Sequence, residues 1–347
     1  MKINNTEITK NSKTYIIAEL SANHEQNFDL AVKTIKAMKE AGADAVKLQA
    51  YRPESLTLDL DKEWFMTRKD SPWAGMRMYD LYKKGMTPYE WFPKLKQISE
   101  ELGLDFFASP FDLEAVDFLE DLNVPVYKIA SLEITDIPLI KKCAETKKPI
   151  IISTGAAEQE DIDLAVKTCR EAKNNDIALL KCTTAYPTPY NEVNLKQIKT
   201  LRKKYNLIVG LSDHTLGIEI PIASVMMGAK IIEKHFILTR NSNGLDKYFS
   251  LEPHEFKKMV EAVRNVEQAM GDGSLKATEK IKTAKRYRRS LFAVQDIKKG
   301  EYFTASNVRS IRPGIGLHPK YYYQILGKKA SKDIEKGMPL SFDLIER

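Results

Sequence analysis

Two short phrases in the chain end an apolar run on a histidine. They are Gly210-Leu-Ser-Asp-His-Thr215, after the run 207–211, and Glu233-Lys-His-Phe236, after 230–232. Short β-branched runs of this kind read as buried parallel strands. His214 and His235 are therefore expected at the C-terminal tips of two successive strands. Two neutral imidazoles side by side, with the carboxylates of Asp213, Glu233 and Asp246 nearby, suit a divalent metal of the Mn, Fe, Co or Zn type. Either histidine alone would read as a core residue satisfied by a backbone carbonyl. The matched pair at two strand ends points to a site, although no short metal-binding motif accompanies it.

The elements that must position this pair are legible along the chain. Eight apolar runs recur, at 15–20, 45–49, 106–109, 126–131, 149–154, 178–183, 207–212 and 230–235. Amphipathic stretches lie between them, at 29–41, 87–102, 113–122, 137–146, 159–173, 195–204 and 218–227, with another at 253–270. Strand alternating with helix eight times predicts a (β/α)8 TIM barrel. A doubly wound sheet would show a glycine-rich phosphate loop after its first strand, and none follows Leu20. Polar residues gather after the runs rather than before them. In order they are Glu19, Asn23 and His24; Lys47 and Gln49; Ser109; Lys128, Ser131 and Glu133; Ser153 and Thr154; Lys181, Thr183, Thr184 and Tyr186; Ser212, Asp213 and His214; Glu233 and His235. Such one-sided clustering predicts a polar site at the C-terminal face of the barrel.

One connection is anomalously long. Residues 51–87 carry Trp64, Phe65, Arg68, Trp73, Arg77 and Tyr79, and read as a substrate lid or a partly helical subunit contact. After the barrel, 1–270, a basic stretch over 271–288 reads as a linker or a lone helix. A second pattern fills 289–347. There, Asp296-Ile-Lys-Lys-Gly-Glu and Asp333-Ile-Glu-Lys-Gly-Met nearly repeat one another, each expected as a turn followed by a polar helix start. About sixty residues bury little core, so this domain is expected to lean on the barrel or on a second subunit.

Composition narrows the function classes. The 347 residues are 43% hydrophobic, and no uncharged apolar run approaches a membrane span. The start, Met1-Lys-Ile-Asn-Asn, is polar with no hydrophobic stretch behind it, which predicts no signal peptide. Cys143, Cys169 and Cys182 are scattered and odd in number, as expected of a cytoplasmic chain without disulfides. The net charge of +7 is spread over helix faces, and no basic tract is interleaved with aromatics, so no nucleic acid is expected.

Taken together, Glu19-Leu-Ser-Ala-Asn-His, Val46-Lys-Leu-Gln, Tyr127-Lys-Ile-Ala-Ser, Ser153-Thr-Gly, Tyr186-Pro-Thr-Pro-Tyr and the two histidine phrases resemble the sialic acid synthase family. The segment with Arg312-Pro-Gly-Ile-Gly-Leu-His resembles that family's antifreeze-like (SAF, β-clip) domain. Within the family, Ala18-Glu-Leu-Ser-Ala-Asn-His and Gly316-Leu-His-Pro-Lys-Tyr look most like the branch that makes pseudaminic acid. Sialic acid synthases usually have a Gly-Ile-Asn-His-like phrase in place of Ser21-Ala-Asn-His.

The resemblance implies a condensation of phosphoenolpyruvate with an N-acetylated amino sugar in its open-chain aldehyde form. In the pseudaminic branch that sugar is 2,4-diacetamido-2,4,6-trideoxy-L-altrose; N-acetylneuraminate or legionaminic acid synthesis is the alternative. It implies a divalent metal, Mn or Mg with Co as a further option, ligated by His214 and His235. Lys47 and Lys128 would supply charge for phosphoenolpyruvate, and Ser109, Ser131, Ser153, Thr184 and Ser212 hydroxyls. The family commonly has Asn at the position of Thr184. Glu133 would be a further substrate-binding residue. Glu19 would steer the attacking water and take its proton, or else merely hold Lys47. Gln49, Tyr186 and Asp246 would orient the sugar. Arg312 would reach the sugar's acyl group from the partner chain of a domain-swapped homodimer.

Two other classes compete. One is an aldolase on the same barrel, metal-dependent or forming an imine at Lys128 or Lys181. The other is a carbohydrate- or ice-binding protein, suggested by the C-terminal domain alone.

Overall fold

The computed structural model describes residues 1–69 and 71–346. Residue 70, within the long 51–87 connection, and residue 347 lie outside the described residues. The chain divides into two compact units, Met1–Met270 and Gly271–Arg347.

The first unit is a closed barrel of eight parallel strands in chain order. They are β1 (Tyr15–Glu19), β2 (Ala45–Ala50), β3 (Asp105–Pro110), β4 (Tyr127–Ile129), β5 (Ile150–Ser153), β6 (Ile177–Lys181), β7 (Ile208–Asp213) and β8 (Ile231–His235). Helices α1 (Phe28–Glu40), α2 (Phe92–Glu101), α3 (Leu113–Asp121), α4 (Ile137–Glu145), α5 (Gln159–Glu171), α6 (Lys196–Tyr205), α7 (Glu219–Met227) and α8 (Pro253–Ala269) follow the strands in turn. The strands read as continuous apolar runs because helices cover their outer faces while side chains fill the interior. Ile16, Val46, Phe106, Ile129, Ile151 and Ile232 are fully or almost fully buried. Side-chain caps set several helix starts. Asn27 accepts from the Leu30 N–H, Asp112 from Ala115 and Asp136 from Leu139.

Strand parity decides which polar residues enter the barrel mouth. Successive side chains point to opposite faces, so Ser212 and His214 share one face while Asp213 takes the other. Asp213 was expected beside the histidines. Instead it pairs with Lys234 at 2.5 Å, both of them buried, and accepts from the Thr215 hydroxyl. Lys234 alternates with Glu233 and His235 in the same way. This outward pair locks β7 to β8 directly behind the inward groups.

Other departures are local. The helix expected from residue 87 begins at Phe92, after a 3-10 turn at Tyr89–Trp91. Pro93 occupies its first turn, where a missing N–H costs nothing. The 51–87 connection contains helices at Pro53–Leu56 and Met78–Gly85. Its Trp73 indole donates to the Leu245 carbonyl at 3.0 Å, which ties the connection to the loop after β8.

In the second unit the 271–288 stretch carries a helix at Glu279–Ala284. β9 (Ser290–Ala293) pairs antiparallel with β10 (Val308–Ile311). The repeated phrases face one another. Ile297 and Ile334 exchange both backbone hydrogen bonds, at 2.9 and 2.8 Å. Asp296 accepts from the Lys336 N–H, and Asp333 accepts from the Lys299 N–H, each at 2.8 Å. In both phrases the turn ends on a glycine at positive φ, Gly300 and Gly337. The polar helix start expected after each is a turn running into β10 in the first case. In the second it is a three-residue 3-10 helix, Phe342–Leu344. Leu291, Ile297, Phe303, Val308, Ile334 and Leu340 form a core for this unit.

His24 pins the loop after β1. It is fully buried, its Nδ1 accepts from the Gln26 N–H, and its Nε2 lies 3.2 Å from the Thr87 hydroxyl. A charged ring would need to donate from both nitrogens, and Nδ1 already faces a donor. Burial, the main cause, lowers its pKa from 6.5 to about 4. The unfolded chain therefore binds a proton here before the folded chain does. Stability from this group is fully present above pH 6.5 and is lost as pH falls toward 4, to a total of about 3 kcal/mol. Thermal melts across that window should fall steeply for the native chain and less steeply for His24→Gln. Equal slopes in the two proteins would remove His24 as the cause.

Candidate active site

The C-terminal mouth of the barrel holds a buried network of charge. Lys47 Nζ lies 2.6 Å from Glu19 Oε2 and 3.7 Å from Glu233 Oε1, and Lys128 Nζ lies 3.9 Å from Glu233 Oε2. All four side chains are almost wholly excluded from solvent. β1, β2, β4 and β8 each contribute one of the four. Lys47 also donates to Ser109 at 3.3 Å, and Lys128 donates to Ser153 at 2.7 Å. Ser212 donates to Glu233 at 3.2 Å.

The two carboxylates differ. Burial would raise Glu233, but Lys128 and Lys47 outweigh it and hold this carboxylate below its ordinary range. Glu19 is pushed up to about 7, chiefly by burial, against the pull of Lys47. One carboxylate thus stays ionised at neutral pH while the other can take or give a proton there. Burial also raises Glu133 to about 7.

His214 and His235 stand side by side, with ring centroids 5.2 Å apart. The Nδ1 of His214 is 3.3 Å from the Thr183 carbonyl. Burial would lower the pKa of His214, but the Cys182 thiol and the Thr183 carbonyl outweigh it and raise it. In the neutral ring, donation to Thr183 leaves Nε2 as the bare lone pair, the arrangement usual for a metal-ligating imidazole. His235 is held well below its usual range by burial first and by the neighbouring cations second, so it is neutral. Its Nδ1 has no hydrogen-bond partner and lies 3.7 Å from Asp246. Among the described residues, no group of three or more His, Cys, Asp or Glu side chains is arranged around a metal position. The two adjacent imidazoles are of a type that would hold a divalent cation.

The remaining expected residues fall around this centre. The Ser131 hydroxyl accepts from the Gly155 N–H at 3.1 Å. A Cβ at Gly155 would lie 2.6 Å from Thr184 Oγ1 and 2.8 Å from Ser131 Oγ, so glycine leaves room for both hydroxyls to converge. Tyr186 packs on His214 at 4.5 Å and on Phe249 at 5.0 Å, with Trp73 beyond it at 5.9 Å. Gln49 donates to Glu19 at 3.3 Å, and Asp246 accepts from Ser21. Arg312 is an exposed residue of the second unit, just past β10. Lys181, the other imine candidate, donates to the Cys182 carbonyl and to the Thr183 hydroxyl.

Five buried side-chain atoms among the described residues lack a hydrogen-bond partner: Glu19 Oε2, Glu133 Oε2, Thr184 Oγ1, Glu233 Oε2 and His235 Nδ1. All five belong to this site, and the Glu19 atom has its ion pair with Lys47. Buried polar atoms are normally satisfied, so a cluster of exceptions marks where ligand atoms belong.

Sequence reasoning missed three participants. Phe249 packs on both histidines, at 5.8 and 4.9 Å, and no spacing signals it. The Cys182 thiol lies 3.8 Å from His214, and its parity with Leu180 on β6 could have placed it. Ser21 shares parity with Glu19 in the same way.

The chain is 48% identical to the pseudaminic acid synthase of Campylobacter jejuni over 337 residues, 97% of each chain. It is 39% identical to the N,N'-diacetyllegionaminic acid synthase of the same species over 329 residues, 93% of this chain and 98% of that one. The crystal structure of the sialic acid synthetase of Leptospira borgpetersenii, solved with citrate, superposes with a TM-score of 0.72 at 33% identity, over 82% of this chain and 94% of that one. Residues 288–346 match the SAF domain. Residues 34–275 match the NeuB family, and the chain belongs to that family.

Proposed function

We propose that the chain is a pseudaminic acid synthase, joining phosphoenolpyruvate to 2,4-diacetamido-2,4,6-trideoxy-L-altrose with release of phosphate. The observation that carries this reading is the Glu19–Lys47–Glu233–Lys128 network lying next to the paired rings of His214 and His235. The similarity to a pseudaminic acid synthase over nearly the whole chain supports the choice of sugar.

Phosphoenolpyruvate is a trianion at neutral pH. Lys47 and Lys128 meet its charge, and Ser109, Ser131, Ser153, Thr184 and Ser212 supply hydroxyls. A divalent cation, Mn or Mg with Co as a further candidate, would be held by His214 and His235; when bound it supplies Lewis-acid polarisation of the sugar aldehyde. Gln49, Glu133, Tyr186 and Asp246 line the place of the sugar. C3 of phosphoenolpyruvate bonds to the aldehyde carbon as its C=O π bond opens, and the resulting alkoxide becomes a hydroxyl by taking one of the two protons released by the water that adds at C2; the other leaves with phosphate. The cationic C2 takes up water, whose proton passes to Glu19. The C2–O bond to phosphate then breaks, giving the 2-keto acid and inorganic phosphate. Glu19 suits this step because burial has moved its pKa to about 7.

Chelation should abolish phosphate release, and added Mn should restore it. His214→Ala and His235→Ala should each remain folded by circular dichroism, bind less metal by elemental analysis, and lose nearly all turnover. Loss of even an outer partner in a metal site costs about 10–100-fold, so either variant keeping a third of native activity without excess metal would contradict the assignment. The sugar is tested by offering the altrose, its legionaminic counterpart and N-acetylmannosamine, each with phosphoenolpyruvate, and weighing the products by mass spectrometry.

The second unit is assigned a role across a dimer. Arg312, exposed just past β10, would read the acyl group of the sugar held by the partner's barrel. Mixing Arg312→Ala chains with His235→Ala chains tests this. In a swapped heterodimer one barrel has intact histidines and receives an intact Arg312, so activity should return. Verified heterodimers that stay inactive would exclude the swapped arrangement.

A further inference from the structure

Ser21 is out of place by ordinary backbone rules. Its φ is +47°, in the left-handed region that favours glycine, and it is almost fully buried. A non-glycine residue kept there invites a reason in its side chain. The Ser21 hydroxyl has one proton, and it donates that to Asp246 Oδ2. Its oxygen accepts from Gln49 Nε2 at 2.9 Å. Gln49 Nε2 also donates to Glu19 Oε1 at 3.3 Å. Both N–H groups of the Gln49 amide are then committed, which fixes the direction of the flip. The amide oxygen takes no hydrogen bond among the described residues and is the end left for a ligand.

Asp246 is held from a second side. Its N–H donates to Asn23 Oδ1 at 3.2 Å, while the Asn23 amide donates to the Phe236 carbonyl and to Ser250, each at 2.9 Å. Gly244 keeps this contact possible, since a Cβ there would come within 2.8 Å of Asn23 Oδ1. The loop after β1 thus fixes the Asp246 backbone through Asn23 and its carboxylate through Ser21. Ser21 is the joint between β2, which carries Gln49, and the loop that carries Asp246.

We infer that Ser21 is a positioning residue for the amino sugar, holding the Gln49 amide oxygen and the Asp246 carboxylate as one pair of acceptors. That pair suits a substrate with two adjacent donors, an acetamido N–H for Gln49 and a hydroxyl for Asp246. This inference rests on the proposed condensation.

Ser21→Gly separates position from packing, because glycine accepts the backbone while removing the hydroxyl. Its melting temperature should equal or exceed that of the native chain. The KM for 2,4-diacetamido-2,4,6-trideoxy-L-altrose should rise about tenfold, the scale of one lost charge-assisted hydrogen bond. The KM for phosphoenolpyruvate should stay within about twofold, because Lys47 and Lys128 remain untouched. Ser21→Ala, with a Cβ still in the left-handed region, should melt lower yet show the same sugar defect. Unchanged sugar KM in Ser21→Gly, or equal rises in both KM values, would overturn the inference while leaving the condensation intact. A native chain inactive with phosphoenolpyruvate and every amino sugar offered would instead overturn the condensation, and this inference with it.

Discussion

Two ammonium groups and two carboxylates, buried together at the end of a parallel barrel, set the terms for everything around them. Lys47 bridges Glu19 and Glu233, and Lys128 reaches Glu233 from the other side. Each charge taken from water costs several kcal/mol unless a partner offsets it. The network is therefore stable only as a set. Deleting one member leaves its partner buried and uncompensated, a loss on the order of 3–5 kcal/mol. The set is also incomplete as it stands, because Glu233 Oε2 has no hydrogen bond and the neighbouring His235 Nδ1 and Thr184 Oγ1 have none either. An anion's oxygen would accept from the Thr184 hydroxyl and a cation would take up the His235 lone pair, while Glu233 Oε2, an acceptor, calls for a ligand hydroxyl or N–H. Binding energy spent here bears directly on the reacting atoms, since the lysines are already oriented before the ligand arrives.

The barrel makes this arrangement possible through parity and register. Glu19 on β1 pairs in register with both Lys47 on β2 and His235 on β8. Three side chains of the candidate site are thus brought abreast by strand register. The outward residues of the same strands do the holding. Lys234 and Asp213 pair behind the histidines. Asn23 ties the loop after β1 to the carbonyl of Phe236, the residue following β8.

Much of this was legible in the sequence because apolar runs and their polar ends are local signals. The runs at 45–49 and 230–235 correspond to strands Ala45–Ala50 and Ile231–His235, and the polar residues after them do gather at one end. Asp213 misled because proximity in sequence was read without parity: one step along a strand moves a side chain to the other face. Ser21 was visible only as part of a phrase, since nothing in a serine's identity reveals a left-handed φ. Phe249 was invisible for a different reason. It comes from the irregular loop between β8 and α8, where neither period 2 nor period 3.6 applies. The facing repeats at Asp296 and Asp333 were legible as a repeat, but their mutual pairing depends on hydrogen bonds between residues far apart in the chain.

The central claim is that water, steered by Glu19, attacks C2 of phosphoenolpyruvate, so that the bond broken is the one between C2 and the bridging oxygen. Phosphoenolpyruvate labelled with oxygen-18 at the bridge, turned over with the altrose and followed by phosphorus NMR or mass spectrometry, reads this directly. The account predicts that the label leaves with inorganic phosphate. Label retained in the 2-keto acid, with unlabelled phosphate released, would show attack at phosphorus and contradict it.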